Sequence, residues 1–169
     1  MESIFSKMFL DITARIQTEV PEIKWIDQDF GQLENYGDRP SVLFPCLLLD
    51  FEDMTFSNKG ERTQIGEGSV LFRLGFQPWS NTNSATPEVY RKKAMHYYEL
   101  EHKLHQCLQG YGTEEFGPLI RTSAGTEERN DNLRVRQIRY SVVSDDDSVL
   151  PETSPIPEDT EPMITLKLR

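Results

Sequence analysis

Ser69-Val70-Leu71-Phe72-Arg73-Leu74-Gly75-Phe76-Gln77 is the stretch that decides the fold. Val70, Phe72, Leu74 and Phe76 fall on one side of an extended chain, and Leu71, Arg73, Gly75 and Gln77 on the other. A period of two with one strongly apolar side reads as a strand laid against a core. Working back, residues 53–66 alternate weakly and carry Asn58-Lys59-Gly60, a turn signal. Ahead of them Val42-Leu43-Phe44 and Leu47-Leu48-Leu49 form an apolar run interrupted by Pro45. That run predicts a strand over 41–52 with both faces covered and proline at its start or at a bulge. Residues 53–66 and 69–77 are expected to form a long antiparallel hairpin.

Outward from the hairpin lie helical patterns. In residues 2–19, Ile4, Met8, Ile12 and Ile16 recur every four positions, and Phe5 and Phe9 widen the stripe. Ser3 is placed to cap this helix, and Val20-Pro21 stops it, because the residue before proline avoids the helical region. Residues 22–27 predict a short strand, and residues 28–40, with Gly31, Gly37 and Pro40, a surface loop. After a Ser/Asn/Thr-rich loop, Thr86-Pro87-Glu88 has the pattern of a helix start: Thr86 at the cap, Pro87 at the first position and an acid in the first turn. The spacing predicts one helix from Pro87 to Gln109 with Tyr90, Ala94, Tyr97, Leu100, Leu104 and Leu108 on its apolar face, stopped at Gly110. A strand follows at 132–143. Its apolar parity changes between Val135 and Ile138, which points either to a bulge near Arg136-Gln137 or to a twisted strand touching two surfaces.

The expected fold is therefore α+β: a mixed, mainly antiparallel sheet with two helices packed on one face, plus a C-terminal extension. Residues 1–144 form the α+β domain. Residues 145–162 read as an acidic, proline-rich linker, since such a composition buries too little apolar area to offset the entropy of ordering. Residues 163–169 read as a terminal strand in which Ile164, Leu166 and Leu168 alternate with Thr165, Lys167 and Arg169.

Charge and composition narrow the function. The 169 residues carry a formal net charge of −10, of which seven acids and no base lie in 145–161, so the remainder holds only −3. A body without clustered bases disfavours nucleic-acid binding through phosphates. No run of about 18 apolar residues spans a bilayer. The N-terminus lacks the apolar segment of a signal peptide. Cys46, in an apolar run, and Cys107, in a helical pattern, read as buried thiols of a reducing compartment.

Each catalytic candidate lacks something. Glu99-x-x-His102 has the spacing of di-metal bundles, and His102 and His105 lie on neighbouring turns, yet two helices cannot supply the four that such a site needs. His96 completes the three histidines. Glu22 and Lys24 share a face in the manner of a metal-dependent nuclease core, but a helix stands where a strand bearing the other acid belongs. Asp50, Glu52 and Asp53 follow a buried strand and are suited to Mg²⁺ only with further ligands. Gly66-Glu67-Gly68 lacks the Lys-Ser/Thr of a phosphate loop, and Asp145-Asp146-Asp147 lacks the glycine and terminal glutamate of a calcium loop. No metal, cofactor or catalytic residue is assigned. Arg129, Arg134, Arg136 and Arg139 are charged groups of another kind. On a strand Arg134 and Arg136 share a face, and the group reads either as an exposed face paired with the chain's own acids or as a contact to another subunit's acidic tail.

Element order then carries a resemblance. An opening helix precedes Ile23-Lys24-Trp25-Ile26-Asp27. Arg39-Pro40-Ser41-Val42-Leu43-Phe44-Pro45-Cys46-Leu47-Leu48-Leu49 and Val70-Leu71-Phe72-Arg73-Leu74-Gly75-Phe76 follow. The central helix comes next, and Arg129-Asn130-Asp131-Asn132-Leu133-Arg134-Val135 leads into Tyr140. Over residues 1–143 this order resembles the tail-terminator, or tail-completion, proteins of tailed bacteriophages and prophages. The resemblance implies a non-enzymatic ring, commonly of six subunits, that ends tail-tube growth and meets tail-tube and head-connector proteins. It also implies a place in the bacterial cytoplasm during assembly and in the virion neck afterwards. The subunit contacts expected are Arg134, Arg136 and Arg139, with Ile164, Leu166 and Leu168 adding as a strand to the same or an adjacent subunit. The rival readings are a metal-dependent nuclease-like enzyme using acids near 22–29 and 50–53, and an adaptor of a mobile element.

Overall fold

A computed structural model describes residues 3–34, 42–77 and 82–146. Helix α1 (Ile4–Glu19) is followed by strands β1 (Trp25–Gln28), β2 (Cys46–Asn58) and β3 (Gln64–Phe76). Helices α2 (Glu88–Ala94) and α3 (His96–Leu108) come next, then strands β4 (Ile120–Thr126) and β5 (Arg134–Asp146). The strands form one sheet in the order β1-β2-β3-β5-β4. Only β1 and β2 run parallel; the other neighbours are antiparallel. This is the α+β architecture expected from the sequence.

The stripe on α1 explains its placement. Ile4, Met8, Ile12 and Ile16 are all buried, against Val70, Phe72 and Leu74 of β3 and Ile138, Tyr140 and Val142 of β5. Leu100, Leu104, Cys107 and Leu108 of α3 enter the same core, so α1 and α3 share one face of the sheet. Ser3 occupies the cap position of α1 without a side-chain bond, and the Val20 N–H closes the helix on the Ile16 carbonyl at 2.8 Å. Pro45, joined to Phe44 by a cis peptide, stands directly before β2. Leu47 and Leu49 then face the helices, while Cys46 and Leu48 face a second, smaller core with Leu33, Val42 and Val135. Both thiols are unbridged and buried, which pushes each up to about 11.

Several expectations change. The short strand begins at Trp25, so Glu22 and Lys24 precede it. The second helix is broken at Met95, whose N–H is shared between the carbonyls of Arg91 and Lys92. Its start also differs, with extended Pro87 rather than Thr86 at the cap. The reason for the break is packing. No residue of α2 is buried, and Tyr90 is 59% exposed, whereas the core begins to hold the chain at Tyr97 and Leu100. Strand β5 has no bulge at Arg136-Gln137; its register with β3 is continuous from Phe76↔Arg134 to Gln64↔Asp146. The parity change instead reflects two surfaces, since Val135 packs in the smaller core and Ile138, Tyr140 and Val142 in the larger. The bulges lie at Glu52/Thr55 in β2, where Asp53 adopts φ +46°, and at Arg121/Ser123 in β4.

Gly68 of β3 sits where β2 crowds closest. A methyl group there would come within 2.4 Å of Met54 Sδ and 2.9 Å of the Met54 Cα. Glycine at this point lets the bulged β2 lie against β3, and the hairpin continues to Asn58↔Gln64.

Candidate functional site

No helix covers the other face of the sheet among the described residues. Half of that face is closed by residues 29–34 and 42–44, held down by an ionic network. Arg73, whose side chain is 9% exposed, donates from Nη1 to Asp29 Oδ2 at 2.8 Å and from Nη2 to Glu34 Oε1 at 2.6 Å. Its Nε and Nη2 also donate to the two oxygens of Glu127, at 3.1 and 2.9 Å. Arg129 donates to Glu127 Oε1 at 2.7 Å and to the Leu33 carbonyl at 2.5 Å, and it pairs with Asp131. These carboxylates hold the Arg73 guanidinium above its usual range against the opposing effect of burial, and Asp131 and Glu127 do the same for Arg129. Arg129 also holds the Asp131 carboxyl below the ordinary range. The network joins the β1–β2 connection, β3 and the β4–β5 turn, and it closes on itself.

The other half of the face is open. Asp50, Ile120, Ser123 and Gly125 are exposed there, and Ser69, Leu71 and Ser141 are half-buried. It ends at β4, all seven of whose residues are exposed. The outer edge of β4 is partly occupied. Leu119 exchanges backbone hydrogen bonds with Gly110 and Tyr111, and the Arg121 N–H donates to Gln109 Oε1 at 3.1 Å. Beyond the bulge that cover stops. The Glu127 N–H donates to the Val135 carbonyl, so ladder alternation turns the backbone groups of Ala124 and Thr126 outward. Thr122–Thr126 is thus a short open edge with small side chains.

At the end of this edge lies a cleft of about 500 Å³. Phe76, Tyr97 and Leu133 give it apolar walls, Lys93 and Arg134 give it cationic ones, His96 also lines it, and Thr126 links it to β4. Arg134 lies over the Tyr97 ring, 4.4 Å from the centroid. Its Nε is buried without a hydrogen-bond partner, and no carboxylate pairs with it among the described residues.

The four arginines singled out from the sequence thus separate. Arg136 is spent inside the fold, forked on Glu101 of α3 at 2.5 and 3.0 Å. Arg139, on the open face, pairs with Glu52 at 2.7 Å. Arg129 belongs to the buried network. Of the four, Arg134 alone has no carboxylate paired with it among the described residues, and it lines the cleft. Ile164, Leu166 and Leu168 lie outside the described residues, as does Asp147 of the acidic run. Asp145 and Asp146 extend β5, Asp145 pairing with Lys59 at 2.7 Å. The network of Arg73 with Asp29, Glu34 and Glu127 had no signal in the local sequence.

The candidate catalytic groups do not converge. Glu22 is bonded to Lys103 of α3, which holds its carboxyl below the ordinary range. Asp29 is held by Arg73 and Glu52 by Arg139. Among the described residues no three His, Cys, Asp or Glu side chains are grouped so as to hold a metal. No described helix is long and apolar enough to cross a membrane.

Of the histidines, His105 is the one tied to the core, with Nδ1 3.0 Å from the Tyr140 hydroxyl. Burial raises Tyr140 and lowers His105, so Tyr140 donates and neutral Nδ1 accepts. The folded chain therefore binds a proton at His105 less readily than the unfolded chain. The stability this contributes is complete above the ordinary value of 6.5 and declines as pH falls below it. Denaturant melts from pH 7.5 to 5.5 are expected to show that decline, and in His105→Gln it is expected to disappear. An unchanged slope in the variant would contradict the assignment.

No family model matches the chain, and no curated protein matches it. By structure, it is similar to a chain from a virion of a native gene transfer agent particle, at 8% identity and a TM-score of 0.41. The alignment covers 85% of this chain and 92% of that one. The likeness is one of general outline.

Proposed function

We propose that this chain is a structural virion protein of the tail-terminator or head–tail neck type, acting by ring-forming self-association. The observation that carries the reading is the open half-face of the sheet ending in the bare edge Thr122–Thr126, with α1 and α3 packed on the opposite face. An exposed edge with unpaired backbone groups is a place where another strand adds. It is short, small in side chain and capped at one end by Gln109, so it admits a defined partner rather than unlimited stacking. In this reading residues 163–168 are the strand that adds there. Tail-tube and head-connector proteins are the further partners, and the virion neck is the final location. Supporting the reading from the sequence side is the order of elements over residues 1–143.

The edge is tested by Ala124→Pro. Ladder alternation points the Ala124 N–H away from β5, and proline is tolerated at such edge positions. We expect the melting temperature to stay within a few degrees while self-association, followed by light scattering, weakens at least tenfold. An assembly unchanged by this substitution would exclude the edge as the contact.

A further inference from the structure

We propose that the cleft beside Arg134 binds the acidic, proline-rich segment 147–162 of a second copy of this chain; this rests on the self-association proposed above and names one of its contacts. Three observations lead to it.

The first is electrostatic. Of the four arginines at 129, 134, 136 and 139, Arg129, Arg136 and Arg139 each have a carboxylate within 2.7 Å, and Arg134 has none among the described residues. Lys93 also lies at the cleft with no acid paired to it among the described residues, and Glu127, the acid that lines it there, is taken by Arg73 and Arg129. The cleft is thus a cationic site in a chain of net charge −10. The matching surplus is in 147–162, where Asp147, Glu152, Glu158, Asp159 and Glu161 occur without a single base. Carboxylates paired with a guanidinium are favoured when the guanidinium is already positioned, and here the Tyr97 ring positions it.

The second is shape. The walls of Phe76 and Tyr97 meet at 5.9 Å between ring centroids. Aromatic-lined grooves take extended proline segments because proline gives up little entropy on binding. Pro151, Pro155, Pro157 and Pro162 punctuate the acidic stretch.

The third is position, and it separates copies. Arg134 opens β5 and Asp146 closes it. Twelve steps of strand place the two ends about 40 Å apart. The acidic segment therefore leaves the fold at the opposite end of the sheet from the cleft. Ile156, at the middle of the segment, lies ten residues beyond Asp146 and reaches at most about 33–36 Å from it, short of its own copy's cleft. A neighbour whose Asp146 end abuts this cleft offers the same segment without that limit. Donor and acceptor at opposite ends of one molecule make a head-to-tail contact, the kind that closes into rings when the rotation allows. Because Thr126 belongs to both the cleft and the open edge, a segment seated in the cleft delivers residues 163–168 to Thr122–Thr126.

The experiment uses the full chain in two isotopic forms, mixed, with a photoreactive phenylalanine analogue in place of Ile156. Crosslinks between light and heavy copies are expected at peptides containing Lys93–Tyr97 or Leu133–Arg134. Lys93→Glu, at an exposed position that leaves the fold intact, is expected to lower their yield several-fold, and Lys93→Glu with Arg134→Glu at least tenfold. Adding Glu152→Lys, Glu158→Lys and Asp159→Lys to that double variant is expected to restore much of it. Crosslinks confined to one copy, crosslinks elsewhere, or yields indifferent to the charge reversals would overturn the proposal. Light scattering on the same samples tells the two failures apart. An assembled wild type with misplaced crosslinks removes the cleft contact alone, whereas a monomeric wild type removes self-association itself.

Discussion

Replacing Arg73 by alanine is expected to lower the stability of the fold by about 3–5 kcal/mol, the cost of breaking a buried ion pair from one side. The side chain supplies hydrogen bonds to three carboxylates from distant parts of the chain, Asp29, Glu34 and Glu127. Asp29 and Glu127 are themselves only 12% and 18% exposed in their side chains. Without Arg73 they would keep their desolvation and lose their main compensation, while Arg129 would be left to neutralise Glu127 alone. Leu33, at 0% exposure, anchors the small second core beneath this network, so its packing would loosen as well. Urea denaturation followed by tryptophan fluorescence would measure the change, because Trp25 packs against that core. Arg73→Lys is expected to recover part of the loss, since an ammonium keeps the charge but cannot fork across the two oxygens of Glu127. A loss below about 1 kcal/mol in Arg73→Ala would mean that the carboxylates reach water and that the network does not hold the β1–β2 connection in place.

A comparable loss, about 3–5 kcal/mol, is expected for Phe72→Ala. Phe72 is fully buried in the middle of the central strand, edge-on to Tyr140 with ring centroids 5.6 Å apart. The residues around it come from β3, β5, α1 and α3 together, so no single element can move in to fill the space left behind. For a domain whose whole stability is of the order of 5–15 kcal/mol, such a loss consumes a large share. Phe72→Leu, which keeps most of the volume, is expected to cost much less. The two variants distinguish a cavity cost from a general intolerance at this position. Equal losses in both would contradict the view that packing volume sets the energy here.

Those two residues also show what the sequence made legible. Phe72 was readable because it belongs to an alternation that continues for four apolar positions, and a strand at the centre of a sheet presents one continuous side to the helices. Arg73 sits next to it, on the side that the alternation marks as polar and outward. Nothing local reveals that residues 29–34 fold back over it, since its three acids lie 39 to 54 positions away in the chain. The same limit explains α2. The spacing of Tyr90, Ala94 and Tyr97 continues the helical period, but periodicity records what a helix would bury if a surface were present, and at Tyr90 none is. The arginines were readable in parity and not in direction. Arg134 and Arg136 do share a face; which face, and that α3 takes Arg136 while Arg134 is left beside a cleft, depends on packing between elements distant in sequence. The edge Thr122–Thr126 gave no apolar signal at all, because its side chains are small and its significance lies in backbone groups.

The proposed association is head-to-tail, through the open edge of β4 and the adjoining cleft. The most direct test is the mass of the full chain in solution, measured by light scattering across micromolar concentrations at physiological and at high salt. A closed assembly of several copies is expected, one whose mass does not grow further with concentration and which dissociates more readily as salt screens the contact at Arg134 and Lys93. A chain that remains monomeric throughout, or one that grows without limit, would contradict it.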